Sequence, residues 1–553
     1  MERIEMQPWY LGFLSRDHIA SHLSKPGNWC VRSSGTNEKR LLFVVIKVDE
    51  KNVRELKLVY MEKLKGWTLI EMKDTNRNDN DELIIYGSII ELLSSESKFC
   101  QKMNLRSPIN RPNYLLNDEN LTMTDIKLGE GHYAEVIKGM LKMNGEEISV
   151  AVKRCLQVGK VSITDKRSTK DIIKIKLAES QMIAEARLVC DFMHENIIKI
   201  YGVACNFAPV KVVMEYCPGG SLKNLLIKHK ETIKNEERNI FLYEAAKALR
   251  HLQLKKCVHR DVAARNCLIG KNGLLKLSDF GLSRRLKDLN DDENIAWPIP
   301  WMAPETLSKK PKFTTKSDVY AFGILIYEVY SCGGNPWPDI AMVQDIIPLV
   351  RNGRIMATPT LLNNKNIEKI MHQCWKRKAM HRPDFIEIVK KFRTVLQSQK
   401  LPTGQDRIVS MLDGIDSSKN TISLEENSPD SILSKQFEVD EKATQKLAET
   451  AEETSTILTR GHAHASAPTL KTHEQDMERK EIKKKKSSAR RTTSSAKLEK
   501  WQKLGTLSTL SVRDTSSTTT SREHFRKWIT SMTSRRYKNR KKQAKDKPPS
   551  PAR

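Results

Sequence analysis

Long hydrophobic runs are missing from this 553-residue chain. Nowhere do about 18 uncharged apolar residues follow one another, the length a spanning helix needs. The most apolar stretch, Val319–Val329, is short and holds Glu328. The N-terminus has no charged-then-apolar leader, so a cleaved secretion signal is not expected. Glu2 stands where N-myristoylation requires glycine. No two of the ten cysteines, scattered from Cys30 to Cys374, form a C-x-x-C pair. That excludes a disulfide framework or zinc site of the usual spacing and fits the reduced thiols of a cytosolic protein. Aromatic residues make up only 6% and hydrophobic ones 39%, too few for a chain folded throughout; globular parts must be diluted by polar segments. No internal repeat is visible. Length alone sets a prior of roughly three to four domains.

Acidic charge is scarce overall, 95 − 67 = 28 fewer acidic than basic side chains, but unevenly so. Residues 479–553 hold 24 basic and 5 acidic side chains, whereas 401–478 hold 7 and 15. Both stretches are rich in Ser and Thr and poor in aromatics. Such composition cannot bury enough apolar area to offset a chain entropy of about 1–2 kcal/mol per residue, so 401–553 is expected to be disordered. Ala, Glu, Lys and Leu around Glu438–Ile457 favour one short helix there. The runs Lys483–Lys486 and Arg535–Lys542 suit acidic lipid, nucleic acid or an import receptor, or else form a solvated tail with weak, salt-sensitive contacts. A cytoplasmic protein is expected, with membrane-peripheral or nuclear placement through this tail.

Two segments, 8–100 and 121–397, have the composition of folded domains; Pro108 and Pro112 argue against a helix through the polar linker 101–120. In the first, Leu41–Val48 is an apolar, β-branched run of central-strand type. Asn28–Ser34, Val53–Leu58 and Gly66–Ile70 are expected to be further strands, with helices after Ser15 and over Ser88–Leu93. Arg32 lies among apolar neighbours in a strand, where a charge is costly unless a permanent partner or a ligand pairs with it. Trp9-Tyr10-Leu11-Gly12-Phe13-Leu14-Ser15-Arg16 and Val31-Arg32-Ser33-Ser34 resemble the opening and the phosphate-binding strand of SH2 domains. The resemblance implies a central antiparallel sheet flanked by two helices that docks phosphotyrosine-containing proteins. Arg32 would fork onto the phosphate, aided by Arg16 and Ser34, a charge-assisted bidentate grip that a planar guanidinium suits. One departure is Glu55, where the family often has histidine. An acidic group there weakens phosphate binding or alters the pocket, and in the extreme leaves an SH2 fold that no longer binds phosphotyrosine.

The second segment opens Leu128-Gly129-Glu130-Gly131-His132-Tyr133-Ala134-Glu135-Val136. Two glycines alone also mark ordinary hairpins. A strand Val150-Ala151-Val152-Lys153 follows, then His259-Arg260-Asp261-Val262-Ala263-Ala264-Arg265-Asn266, Asp279-Phe280-Gly281 and Ala303-Pro304-Glu305. This ordered set resembles the protein-kinase signature and implies a bilobal α+β fold that uses ATP with Mg²⁺, Mn²⁺ being the alternative ion. Glycines 129 and 131 let backbone amides approach the phosphates; Ala134 replaces the family's third glycine. The resemblance makes Lys153 the phosphate ligand, Glu185 its partner and Asp261 the acceptor of the substrate proton, with Arg265 beside it. Asn266 and Asp279 would offer the hard oxygens that Mg²⁺ prefers. Leu128, Glu130, Val136, Ala151 and Leu268 would line the nucleotide site. Glu215–Cys217 would form the adenine-binding hinge behind Met214, while His259 and Phe280 pack.

Ala263-Ala264-Arg265-Asn266 and Pro298-Ile299-Pro300-Trp301-Met302-Ala303-Pro304-Glu305 resemble the tyrosine-kinase branch, as does Cys374-Trp375 ahead of Arg382-Pro383. An SH2-like segment directly before the kinase resembles a non-receptor tyrosine kinase, most of all a short Fes/Fer type, with protein tyrosines as substrates. All of Lys153, Glu185, Asp261, Asn266 and Asp279 are present, which argues against the alternative of a pseudokinase scaffold. Pro300 replaces the usual Lys or Arg, and Asp279–Glu305 contains no tyrosine. A switch built on phosphotyrosine and Arg260 therefore cannot work in its usual form. Asp288, Asp291, Asp292 and Glu293 are the expected substitute partners of Arg260, unless they are merely solvated.

Overall fold

The computed structural model describes residues 3–71, 84–94, 96–130, 134–156, 166–288, 297–402 and 406–416. Near the N-terminus, Ser15 accepts a hydrogen bond from the His18 amide and starts α1 (Arg16–Ala20). Four antiparallel strands follow: β1 (Asn28–Gly35), β2 (Arg40–Lys47), β3 (Val53–Met61) and β4 (Gly66–Glu71). Alternation sorts their side chains onto two faces. Cys30 and Val45, paired in register, pack with Leu14 and Ile19 on the α1 side. Val31 and Val44 pack with Ile89 and Leu92 of α2 (Ile89–Leu92), which Ser88 caps. Residues ahead of position 8 also belong here: Ile4 joins the second of these clusters, and Glu5 pairs with Arg40.

After α3 (Lys98–Lys102), the stretch expected to be a polar linker contributes to both sheets. β5 (Ser107–Pro108) runs parallel to β1, and β6 (Leu115–Leu116) runs parallel to β10 (Ile200–Ala204). Between them the Arg111 guanidinium donates to the carbonyls of Tyr10, Leu115 and Leu116 at 2.8–3.1 Å. The second sheet also contains β7 (Leu121–Glu130), β8 (Ala134–Met143), β9 (Glu146–Cys155) and β11 (Lys211–Glu215), in the order β6-β10-β11-β9-β8-β7. One long helix, α4 (Lys166–Cys190), packs against this sheet.

The larger lobe is helical, with α5 (Leu222–Lys228), α6 (Asn235–Leu254), α7 (Thr315–Tyr330), α8 (Val343–Arg351), α9 (Lys365–Cys374) and α10 (Phe385–Gln397). Two short antiparallel strand pairs, the hairpin β13 (Cys267–Ile269) with β14 (Leu275–Leu277) and the non-sequential pair β12 (Cys257–Val258) with β15 (Arg284–Arg285), sit on it. α7 is buried from Ser317 to Tyr330. A helix apolar on all sides belongs in a core, which explains the most apolar stretch of the sequence. Thr314 and Ser317 close a capping box at its start.

Two expectations need correction. The N-terminal domain is not a bead on a linker, because Leu11, Leu14 and Ile19 share one hydrophobic cluster with Met182 of α4 and with Val203 and Cys205. Gly12 makes the approach possible: at φ +67° it lies so close that a Cβ would stand 2.0 Å from the Cys205 carbonyl oxygen. Nor does disorder begin at 401, since 406–416 fold back onto the helical lobe, burying Arg407, Ile408 and Val409. Averaging composition over the long acidic stretch hid these few apolar residues. The remaining tail, with the helix expected at 438–457, lies outside the described residues.

Candidate active site

Lys153 sits on β9 and Glu185 on α4, and their side chains meet at 2.8 Å (Nζ–Oε2). The other Glu185 oxygen accepts from the Phe280 amide at 3.1 Å, tying α4 to the Asp279-Phe280-Gly281 turn. Burial alone would lower the Lys153 pKa, but the carboxylates of Glu185 and Asp279 outweigh it and the net shift is upward. The ammonium stays charged. Asp279 adopts φ +60°, a backbone conformation uncommon for a residue other than glycine.

Asp261 faces this group from the helical lobe. One carboxylate oxygen pairs with Arg265, and the other accepts from the Asn266 amide at 2.8 Å. Burial, with Asp279 adding repulsion, raises the Asp261 pKa to about 6, against the lowering effects of Arg265 and Asn266. Asn266 spends its Nδ2 on the Asp261 carbonyl and carboxylate, so its Oδ1 is the end it presents outward. A hard divalent cation suits that amide oxygen together with the Asp279 carboxylate, since Mg²⁺ takes few protein oxygens and completes its shell with phosphate and water. The Arg265 guanidinium also stacks on the Trp301 ring, 4.3 Å from its centroid.

His259 packs rather than reacts. It is fully buried, its ring is 4.8 Å from Phe280, and burial lowers its pKa to about 4. The cleft wall follows from strand register: Ala151 on β9 pairs with Met214 on β11, and Val136 on β8 pairs with Gly129 on β7. Leu268 forms a bridge with Ser221, just past the hinge. Glu215 is fixed by Lys276 at 3.0 Å and by the Lys199 amide. Cys217 is half-buried, and burial raises its thiol pKa. Leu128 is exposed, and Glu130 bonds Lys127 at 3.0 Å. Gly131, with His132 and Tyr133, lies outside the described residues.

Several supports were not assigned from sequence. Asp318 accepts from the amides of His259 and Arg260 at 2.7 and 2.9 Å. Glu328, fully buried, accepts from the Ala264 amide and from the Trp301 indole. Arg382 grips both oxygens of Glu305 at 2.7 and 2.8 Å. The motifs contained Asp318, Glu305 and Arg382; nothing in a linear pattern says which groups they hold.

In the N-terminal domain, Arg32, Ser34 and Glu55 lie on one sheet face. Arg32 Nε meets Glu55 Oε1 at 2.5 Å, and Phe43 lies 5.1 Å from the guanidinium carbon. Arg16 donates to the Val53 carbonyl at 2.5 Å, and Ser34 is half-buried beside them.

Residues 122–392 match the family model described as protein tyrosine and serine/threonine kinase. The chain is 33% identical to Fer-related kinase 1 of Caenorhabditis elegans over 54% of its own length and 71% of that protein. It is 32% identical to the spermatocyte protein spe-8 of the same organism, covering 60% of this chain and 61% of that one. Human tyrosine-protein kinase Fer is 30% identical over 70% of this chain and 44% of its own length. Among the described residues, no helix is long and apolar enough to cross a membrane.

Proposed function

We propose, from the premise that this chain belongs to the Fes/Fer-type protein tyrosine kinases, that it moves the γ-phosphate of ATP onto protein tyrosine hydroxyls and docks on phosphotyrosine sites through an N-terminal SH2 domain. The observation that carries the catalytic half is the Lys153–Glu185 pair, closed at 2.8 Å and tied through Glu185 to the Phe280 amide. It fixes a cation within electrostatic reach of Asp279, an arrangement that suits the phosphates of ATP. A scaffold without chemistry would have no need to hold all five groups in register.

In this reading, Gly129 leaves room for the triphosphate under β7 and β8, and Ala151, Val136, Leu268 and Met214 enclose adenine against the hinge at Glu215–Cys217. Asn266 and Asp279 hold the divalent cation, Mg²⁺ before Mn²⁺, which neutralises phosphate charge when bound. The substrate oxygen attacks the γ-phosphorus, the bond to ADP breaks, and the phenolic proton passes to Asp261. Arg265, held between Asp261 and Trp301, positions that carboxylate. Ala263–Asn266 and Pro298–Glu305 favour tyrosine as the acceptor, by likeness to the tyrosine-kinase branch. The basic tail adds salt-sensitive contacts to acidic lipid, nucleic acid or an import receptor.

The test is transfer from ATP and Mg²⁺ to a random Glu/Tyr polymer by the purified chain, beside a Ser/Thr substrate. Asp261→Asn is expected to cost roughly 10²–10⁴-fold in rate, the usual size of a general-base contribution. Lys153→Met, which keeps most of the stem's packing, should abolish transfer. Undiminished tyrosine phosphorylation by either variant overturns the assignment.

A further inference from the structure

Arg32 is spoken for. A guanidinium in the middle of a strand needs an anion, and here Glu55, one strand removed from its neighbour, supplies it at 2.5 Å. Both side chains are only 14% exposed, so water screens the pair poorly. Register explains the meeting: Arg32 pairs with Phe43 and Glu55 with Val45, two residues apart along β2, which puts all four side chains on one face. Phe43 supports the guanidinium from below, and Nη1 turns to the carbonyls of Ser33 and Leu14 at 3.3 and 3.5 Å. The second cation, Arg16, is turned onto the Val53 carbonyl. A phosphate arriving at this face meets two arginines and a carboxylate already in place, not two unopposed arginines.

We propose that Glu55 is a resident anion of the docking pocket: phosphotyrosine gains Arg32 only in competition with it, and position 55 sets the affinity of the domain. The proposal rests on the SH2 assignment above and adds what regulates that site. A carboxylate left beside a bound dianion repels it, and a carboxylate swung out loses its buried partner; either way native binding is weakened. The ligands such a pocket retains are phosphotyrosines presented several at a time, or held by contacts outside the pocket.

The experiment measures binding of the full-length protein, without nucleotide, to a fluorescent mixture of phosphotyrosine peptides with randomised flanks, beside the same peptides unphosphorylated. Glu55→Gln keeps the shape and an oxygen for Arg32 but removes the charge. It is expected to bind the phosphorylated peptides at least tenfold tighter than the native chain, and Glu55→His should move the affinity in the same direction. Arg32→Ala added to Glu55→Gln should abolish the gain. Phosphate-dependent native binding that Glu55→Gln leaves equal or weakens overturns the resident-anion proposal and leaves the docking assignment standing. No preference for phosphorylated peptides in native, Gln and His forms alike overturns both.

Discussion

Asp261 illustrates how a carboxylate is tuned by its neighbours. Burial, then Asp279, push its pKa up to about 6, while Arg265 and Asn266 pull it down. Only the ionised form can take the substrate proton, so kcat/KM for a tyrosine peptide should fall as pH drops below about 6. Replacing Arg265 by Met removes a lowering influence, so the acid limb should move to higher pH, and the rate at pH 7 should fall with it. A pH–rate series on both enzymes checks this. A limb that stays in place would mean that Arg265 does not act through Asp261. Lys153, Glu185, Asp261, Asn266 and Asp279, which the fold gathers at this cleft, were legible as candidates because they stand in motifs that resemble the kinase signature. Asp318 and Glu328 were not legible as supports. Their partners are the amides of His259, Arg260 and Ala264, far away along the chain, and only the fold brings them together.

The strands β1 to β4 could be drawn from short apolar, β-branched runs, and α1 and α2 from the stretches after Ser15 and over Ser88–Leu93, because those signals are local. The segment that follows the Asp279-Phe280-Gly281 turn was less legible. Asp291, Asp292 and Glu293, expected to replace a phosphotyrosine opposite Arg260, lie outside the described residues, and Asp288 is exposed. Among the described residues, two aromatic rings lie against the Arg260 side chain. Its guanidinium carbon lies 4.5 Å from the Phe313 ring centroid and 5.6 Å from that of Trp297, and the two rings stack at 4.6 Å. Arg260 itself is buried, with its amide fixed by Asp318. A cation over aromatic faces is worth about 0.5–2 kcal/mol, more when water is excluded, and needs no phosphorylation. Trp297→Ala should therefore lower activity about tenfold, equivalent to about 1.4 kcal/mol, while Trp297→Phe keeps most of it. Prior treatment with a tyrosine phosphatase should change neither result. An enzyme silenced by the phosphatase, or indifferent to Trp297→Ala, would show that this packing does not hold the segment.

Across the whole molecule, the parts that composition separates are joined by packing. The stretch 101–120 looked like a spacer because polar residues dominate it, yet Leu115 and Leu116 add a strand to the kinase sheet and Arg111 ties that strand to Tyr10. The segment after α10 was hidden in the same way. Glu237 on α6 is 2% exposed and accepts from Arg407 Nε at 3.4 Å and from the amides of Ile408 and Val409 at 2.8 and 3.4 Å. Arg407, equally buried, also lies over the Phe241 ring. Further on, the Asp416 amide donates to the Lys271 carbonyl and Gly414 lies beside Pro218, so the segment ends next to the β13–β14 turn. Cutting the chain after Gln397 removes every partner named here and uncovers apolar surface that Ile408 and Val409 had sealed. Breaking a buried pair costs about 3–5 kcal/mol, less what entering water returns to Glu237. A chain ending at 397 should thus melt several degrees below the full-length protein, whereas one ending at 420 should melt with it. Arg407→Met alone should reproduce part of the loss, and Glu237→Gln added to it should restore some, because the stranded charge is then gone. Equal melting of the 397 and 420 forms would show that residues 406–416 merely rest on the lobe.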